Sequence, residues 1–184
     1  MGNVKWKVAF FTIPEYVQEQ DWLRFQHKKG WKLTDTVSPC FYKFEKCESE
    51  DVVYQLDYNQ EGLSHKEEYV QMFGDCGWEH ITDMMGYSYF RKPLLLMQEE
   101  EEIFSDDASK LDMAERVFKG RIIPLLIIFF LLIIPQLLIL EGKLQLSNFE
   151  SLLFGIYIGL FAVYVSVFVK YTLQYVKLKK KIGE

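Results

Sequence analysis

Two long apolar segments near the C-terminus constrain this chain more than any other feature. Residues 122–140 (IIPLLIIFFLLIIPQLLIL) and 152–169 (LLFGIYIGLFAVYVSVFV) contain no charged side chain. A helix needs about 18–20 apolar residues to cross the hydrocarbon of a bilayer, and both segments reach that length. The sequence therefore predicts two transmembrane helices, joined by residues 141–151 into a hairpin that anchors the chain in the lipid bilayer.

The basic residues around this hairpin predict its orientation. Lys119 and Arg121 precede the first segment, whereas the connecting loop carries only Lys143. The second segment is followed by Lys170, Lys177, Lys179, Lys180 and Lys181. Because cytoplasmic flanks carry the Lys/Arg excess, we expect a two-pass protein of the cell membrane with both termini in the cytoplasm.

Charge and cysteine content narrow the class of protein. The formal net charge is −5, which argues against direct binding to nucleic acid. The three cysteines, Cys40, Cys47 and Cys76, are irregularly spaced and do not resemble a disulfide framework. Cys76 and His80 are the two residues whose spacing is most similar to that of a metal-ligand pair. Because zinc needs three or four protein ligands, one pair is not sufficient, and no metal site is expected.

The motifs of common enzymes are missing from the sequence. It has neither a Gly-x-Ser-x-Gly elbow nor a phosphate-binding glycine loop. His27, His65 and His80 have no compelling nucleophile or acid beside them in the sequence. We therefore expect a protein without catalytic residues, without enzymatic activity and without a cofactor.

The polar part of the chain contains an internal repeat. Residues 22–46 and 69–92 both read as the end of an amphipathic helix, a Gly-Trp pair (Gly30-Trp31 and Gly77-Trp78), a strand, and an aromatic strand that ends in lysine. With a strand before each helix, this predicts duplicated strand-helix-strand-strand units. The fold class is α+β, with an antiparallel sheet and two helices.

Element boundaries follow from periodicity and from turn residues. We predict strands at residues 5–12, 31–37, 40–46, 51–58, 78–84 and 87–92, and helices at 14–29 and 65–76. In the first strand Trp6, Val8 and Phe10 alternate with less apolar residues, which indicates a half-buried strand. The first helix is expected to bury an apolar stripe of Val17, Trp22, Leu23 and Phe25.

Three regions follow along the chain. Residues 1–97 form the predicted cytoplasmic domain, 98–120 an acidic linker and juxtamembrane helix, and 121–184 the hairpin with its basic tail. Ser64 and Glu67 have the spacing of a capping box, and Ser105 is a suitable N-cap for the juxtamembrane helix. The acidic run at residues 99–102 favours an extended, solvated linker.

Two groups of residues are candidate sites. Gly155 and Gly159 have the GxxxG spacing that permits close packing of membrane helices. The aromatic side chains of the two repeats either belong to the core or line a ligand-binding groove between the repeats, and the sequence leaves both alternatives open. The members of this group are Trp31, Trp78, Tyr42, Tyr87 and Tyr89.

Five segments resemble one bacterial family, the domain of unknown function 2812. They are EQDWLRFQHKKGWKL, FYKFEK, VVYQLDY, EEYVQMFGDCGWEHI and YSYFRKP, and the resemblance covers about the first 95 residues. Genes of that family frequently neighbour a PadR-like transcriptional repressor, which implies a regulatory or signalling role. The family has no established catalytic residues to carry over.

These observations support two hypotheses of different classes. In the first, the chain is a non-enzymatic, membrane-anchored sensor or regulator whose cytoplasmic domain contacts a protein such as a PadR-like transcriptional regulator. In the second, it is an accessory subunit of a larger membrane complex, such as a transporter, and binds through the glycine face of its hairpin. Association of the chain with further copies of itself is compatible with either.

Overall fold

The computed structural model describes residues 3–12, 15–58, 65–97, 107–141 and 147–182. The chain divides into two compact units, Met1–Met113 and Ala114–Glu184, which we call the N-terminal domain and the hairpin unit. The predicted capping box at Ser64, the acidic run at residues 99–102 and the predicted N-cap Ser105 lie outside the described residues.

The N-terminal domain is α+β, as predicted. Its first half contains β1 (Val4–Val8), α1 (Tyr16–Lys28), β2 (Trp31–Val37) and β3 (Phe41–Lys46). Its second half contains β4 (Val52–Tyr58), α2 (Lys66–Asp75), β5 (Glu79–Met84) and β6 (Tyr87–Pro93). Both halves therefore have the predicted order of strand, helix, strand and strand, and all strand pairs are antiparallel.

The strands form two sheets of three strands, where the sequence had suggested one. Sheet 1 has the order β1-β3-β2 and sheet 2 the order β4-β6-β5. β2 and β5 lie beside each other, but side chains join them: Thr82 Oγ1 donates to Asp35 Oδ1 at 3.1 Å. A register shift interrupts both strands, between Leu33 and Asp35 and between His80 and Thr82. Such bulges disturb the regular edge that a continuous backbone ladder needs.

Glycines end both helices, as predicted. Gly30 and Gly77 have φ angles of 78° and 81°, the left-handed conformation that closes a helix without a Cβ clash. The β5–β6 hairpin turns at Met85 and Gly86, whose φ angles of 53° and 85° are also positive. A Cβ at Gly86 would lie 2.7 Å from Tyr58 Cε2, so this turn also depends on the missing side chain.

An aromatic cluster joins α2 to one face of sheet 2. Phe90 of β6 is fully buried between Tyr69 and Phe73 of α2, with ring centroids 5.8 Å and 4.4 Å away. Trp78 completes the cluster at the C-terminal end of the helix. Because Trp78 follows Gly77 directly, the end of the helix is held onto the sheet.

The buried face of α1 differs from the predicted apolar stripe. Four of its residues are buried, with spacing i, i+4, i+7 and i+8, and three of these are polar: Glu19, Leu23, Gln26 and His27. Val17 and Phe25 are instead exposed, by 42% and 52%. The reason is that α1 contacts β2 of sheet 1 and β4 of sheet 2, and tyrosine hydroxyls from both sheets reach this helix.

Two long helical segments follow the N-terminal domain, and the hairpin unit begins within the first of them, at Ala114. The first contains α3 (Asp107–Val117), α4 (Ile123–Ile128) and α5 (Ile134–Glu141), separated by π-helical turns at Phe118–Ile122 and Phe129–Ile133. The second is α6 (Asn148–Ile182). Leu111–Glu141 and Asn148–Lys177 are long and apolar enough to cross a membrane.

Aromatic side chains pack the two helical segments against each other. Phe129 stacks on Tyr164 with ring centroids 5.6 Å apart and touches Phe161 at 5.4 Å. By contrast, a Cβ added at Gly155 or Gly159 would meet no atom within 4 Å. Among the described residues, the two predicted packing glycines are therefore not used inside the hairpin.

Candidate functional site

A buried carboxylate connects the two sheets of the N-terminal domain. Glu19 Oε1 of α1 accepts hydrogen bonds from the hydroxyl of Tyr42 at 2.8 Å and from that of Tyr89 at 2.5 Å. Tyr42 lies on the central strand of sheet 1 and Tyr89 on that of sheet 2. Burial, followed by the charge of Glu19, raises the pKa of both tyrosines far above the ordinary value. Their hydroxyls therefore remain protonated and act as donors.

A second buried contact forms at the end of α1. His27 Nδ1 lies 2.8 Å from the hydroxyl of Tyr54, which also accepts a hydrogen bond from the backbone N–H of Leu33. Burial, together with the positive charges of Arg91 and Lys32, lowers the pKa of His27 to about 4. The ring is therefore neutral at pH 7 and shares one hydrogen bond with the Tyr54 hydroxyl through Nδ1.

The neutral state of His27 predicts a loss of stability in acid. A histidine in the unfolded chain has a pKa of about 6.5, so the contribution of the neutral ring is complete above pH 6.5 and is lost as the pH falls towards 4. We expect the wild type to lose about 3 kcal/mol more than His27→Gln between pH 7 and pH 4. Urea unfolding of the full chain in mild detergent, followed by tryptophan fluorescence, measures this difference.

The tryptophan signal reports on the N-terminal domain alone, because all four tryptophans of the chain lie in it. His65→Gln is the matched control, since His65 is exposed at the start of α2. Equal losses of stability in the wild type and in His27→Gln would contradict the assignment of a neutral, buried His27.

Arg91 binds the two halves of the domain at their junction. Its guanidinium donates to both carboxylate oxygens of Glu79, at 2.7 Å and 2.6 Å, and to the backbone carbonyl of Leu33 at 3.1 Å. The hydrogen bonds from Arg91 lower the pKa of Glu79. Arg91 therefore links β6 to β5 and to β2 of the other sheet.

A cluster of Ser88, Asp83 and His80 was not foreseen from the sequence. Ser88 Oγ donates to Asp83 Oδ1 at 2.7 Å, and His80 Nε2 lies 2.9 Å from the same oxygen. An activated serine needs the histidine itself at Oγ. Here the carboxylate stands between the two, so His80 does not accept the Ser88 proton. The sequence could have indicated the contact between Asp83 and Ser88, because the predicted β5–β6 hairpin makes these two residues cross-strand neighbours.

The five aromatic residues of the predicted groove separate into distinct places. Tyr42 and Tyr89 are brought together at Glu19. Trp78 packs with Tyr69 and Phe90. Trp31 lies under Lys5 Nζ, which is 3.6 Å from the centroid of its ring. Tyr87 packs against the ring of Tyr58.

Glu19 Oε1 accepts from both tyrosine hydroxyls, and the side chains of Glu19, Tyr42 and Tyr89 are at most 6% exposed. This arrangement holds the sheets and α1 together. In the part of the chain that the structure describes, no group of three or more His, Cys, Asp or Glu side chains is placed to hold a metal ion.

The outer face of sheet 1 exposes several large apolar side chains. β1 turns its lysines inward: Lys7 Nζ donates to Gln26 of α1 at 2.6 Å, and Lys5 lies over the ring of Trp31. Its apolar residues consequently point away from α1. Trp6 and Val8 are exposed by 52% and 69%.

Neighbouring residues extend this apolar surface. Phe41 of β3 pairs with both Val8 of β1 and Val37 of β2. Phe10, two residues after the end of β1, is 74% exposed. We call this surface the open face, and its members are Val4, Trp6, Val8, Phe10, Val37 and Phe41. β1 is also an edge strand of this sheet, and no described strand pairs with its outer side, where a partner strand could add.

Comparison with known proteins gives one match. The model of a family described as a protein of unknown function, DUF2812, matches residues 15–126. The match extends beyond the first 95 residues that the sequence motifs had suggested, and it reaches into the first apolar segment. No curated protein and no solved structure matches the chain.

Proposed function

We propose that this chain, which belongs to the DUF2812 family of proteins of unknown function, is a membrane-anchored regulator that acts without catalysis, through protein contacts of its N-terminal domain. Two helices long enough to cross a membrane support the anchor. The positive flanks of the hairpin support a cytoplasmic position for the domain. The similar halves of the domain are best explained by duplication of one unit.

The open face carries this proposal. Exposed apolar residues are common singly, but Val8, Phe41 and Val37 form one apolar row across the three strands of sheet 1. Trp6 lies next to Val8 along the same face of β1, with Lys43 of β3 as its cross-strand neighbour. An exposed apolar row with aromatic members is typical of an interaction surface. Trp6 is 52% exposed and Phe41 42% exposed, and both lie on the face of sheet 1 opposite α1. By comparison, both faces of sheet 2 are covered. α2 packs on the face of Phe90, and α1 packs on the opposite face, where Tyr54 and Tyr89 are at most 2% exposed.

The partner that we propose is a cytoplasmic transcriptional regulator of the PadR-like class, held at the membrane by this contact. The net charge of −5 disfavours direct binding of the chain to DNA, so the effect on transcription passes through the bound regulator. The apolar row of the open face predicts that binding depends mainly on buried apolar area. Lys43, the cross-strand neighbour of Trp6, adds a smaller contribution that salt screens.

Changing the open face tests this function. The double variant Trp6→Ala/Val8→Ala is expected to weaken binding of a PadR-like repressor from the same organism by about tenfold or more, because truncating a central aromatic residue of an interface costs at least about 1–2 kcal/mol. The measurement is biolayer interferometry with the full-length chain in nanodiscs.

Met72→Ala is the matched control, since Met72 is 56% exposed on α2, away from the open face. The control should bind as the wild type does. Failure of every such repressor to bind the wild type, or equal binding by the double variant, would refute this function.

A second function has one observation in its favour. A Cβ added at Gly155 or Gly159 would meet no atom of the described residues within 4 Å, outside the backbone of its own helix. This face could therefore accept a helix of another membrane protein. As an accessory subunit of a transporter or similar complex, the chain would lose its partner on Gly155→Leu/Gly159→Leu. The open-face variant would keep that partner, and co-purification from the native membrane separates the two functions.

A further inference from the structure

A cleft opens between the two helices of the hairpin unit, with a volume of about 330 Å³. One wall comes from the first helical segment and the other from α6. Its lining residues are Glu115, Phe118, Lys119, Tyr171, Thr172 and Tyr175.

The position of this cleft along the chain indicates its surroundings. Phe118 and Lys119 come just before the apolar residues 122–140, and Tyr171 comes just after the apolar residues 152–169. The residues that line the cleft therefore lie at the start of the first candidate membrane span and at the end of the second, which is the same end of the hairpin. Aromatic and basic residues at such an end lie at the level of the lipid headgroups.

Aromatic rings form the floor of the cleft. Tyr171 stacks between Phe118 and Tyr175, with ring centroids 5.9 Å and 6.3 Å away. The Tyr171 hydroxyl donates to the backbone carbonyl of Ala114 at 2.8 Å, which fixes its ring against the first helix. Stacked aromatic faces of this kind attract ammonium groups.

The charged residues of the cleft have opposite signs. Glu115 and Lys119 are both exposed, one helical turn apart, and neither has an ion-pair or hydrogen-bond partner among the residues that the structure describes. The helix changes from α to π geometry at Phe118–Ile122, between the two charges. π-helical turns frequently occur at functional sites.

We propose that this cleft binds the headgroup of a zwitterionic phospholipid of the phosphatidylethanolamine type. The ammonium lies between Glu115 and the aromatic rings, and the phosphate lies at Lys119. The acyl chains continue along the apolar surface of the two helices. Phosphatidylglycerol offers the same phosphate to Lys119 but an uncharged glycerol to Glu115 and the rings, so the cleft favours the lipid that carries an ammonium.

Native mass spectrometry of the full-length chain tests this proposal. The chain is released from detergent after incubation with equal amounts of phosphatidylethanolamine and phosphatidylglycerol. We expect the wild type to retain phosphatidylethanolamine about fivefold better. Glu115→Gln should lower this ratio towards one, and Lys119→Gln should reduce retention of both lipids.

Two matched controls remove the same charges elsewhere. Glu141→Gln lies at the opposite end of the first helix, and Lys177→Gln lies on α6 outside the cleft, so both should behave as the wild type. A wild-type ratio of one, or a ratio that Glu115→Gln leaves unchanged, overturns the proposal.

The proposal rests on the membrane anchor of the proposed function, and one further measurement separates the two. A chain that alkaline carbonate extracts from membranes overturns both the anchor and the lipid site. A chain that stays in the membrane but shows no lipid preference overturns the lipid site alone. A protein partner on the open face is independent of either result.

Discussion

Replacing Glu19 by alanine is expected to lower the free energy of unfolding by about 3–5 kcal/mol, one of the two largest effects of any single change in the domain. The variant leaves the hydroxyls of Tyr42 and Tyr89 buried without their shared acceptor. Each buried hydroxyl that loses its partner costs about 1–3 kcal/mol. Urea unfolding of the full chain in mild detergent, followed by tryptophan fluorescence, measures the loss.

Two further variants define the cause of this effect. Glu19→Gln keeps an acceptor oxygen between the two tyrosines, so its cost should be smaller by about 1–2 kcal/mol. Glu48→Ala removes an exposed carboxylate in the same domain and should change stability by less than about 0.5 kcal/mol. If Glu19→Ala is no more damaging than Glu48→Ala, the carboxylate does not hold the two sheets together.

The second large effect is expected at Phe90. Phe90→Ala removes a ring that is 0% exposed and touches Tyr69, Phe73 and His80, so it leaves a cavity between sheet 2 and α2. Substitutions of this kind cost about 3–5 kcal/mol. The same unfolding measurement applies, and an additional loss of helical circular dichroism would report separation of α2.

Phe41→Ala is the control for Phe90→Ala. Phe41 is 42% exposed on the open face, so its loss should cost less than about 1 kcal/mol. A large cost at Phe41 would show that the open face is covered in the folded chain, and it would weaken the proposed function together with the assignment of the core.

These two predictions separate stability from binding. Glu19 and Phe90 lie inside the domain, whereas Trp6 and Val8 lie on the open face. Changes at the first pair should lower stability and leave the binding of the remaining folded protein intact. Changes at the second pair should weaken binding and leave stability nearly unchanged.

Much of the local structure could be predicted from particular residues. Gly30 and Gly77 were expected to end helices, and both have the positive φ that this role requires. Five of the six strands and the two helices of the domain lie close to their predicted positions, since alternation and turn residues are local signals. The first strand ends at Val8, four residues before its predicted end at Thr12. The two apolar segments were identified by length and composition alone.

Other features depend on contacts between distant residues. Trp6 and Val8 have the alternation of a half-buried strand, but they lie on its exposed face because Lys7 is bound to Gln26 of α1. Alternation defines two faces of a strand and does not say which one is covered. The polar face of α1 was missed for a similar reason, since Glu19 and His27 look like solvent-facing residues until their tyrosine partners are known.

The sequence by itself determined the two membrane-length helices, the family of the chain, the α+β class and the order of elements in both halves. These properties follow from segment length, residue periodicity and backbone conformation, which act over a few residues. Only the tertiary structure decided that the strands form two sheets, that Tyr42 and Tyr89 meet at Glu19, and that sheet 1 leaves an apolar face open. These depend on residues up to 70 positions apart, as for Glu19 and Tyr89, and no local pattern encodes which of them become neighbours.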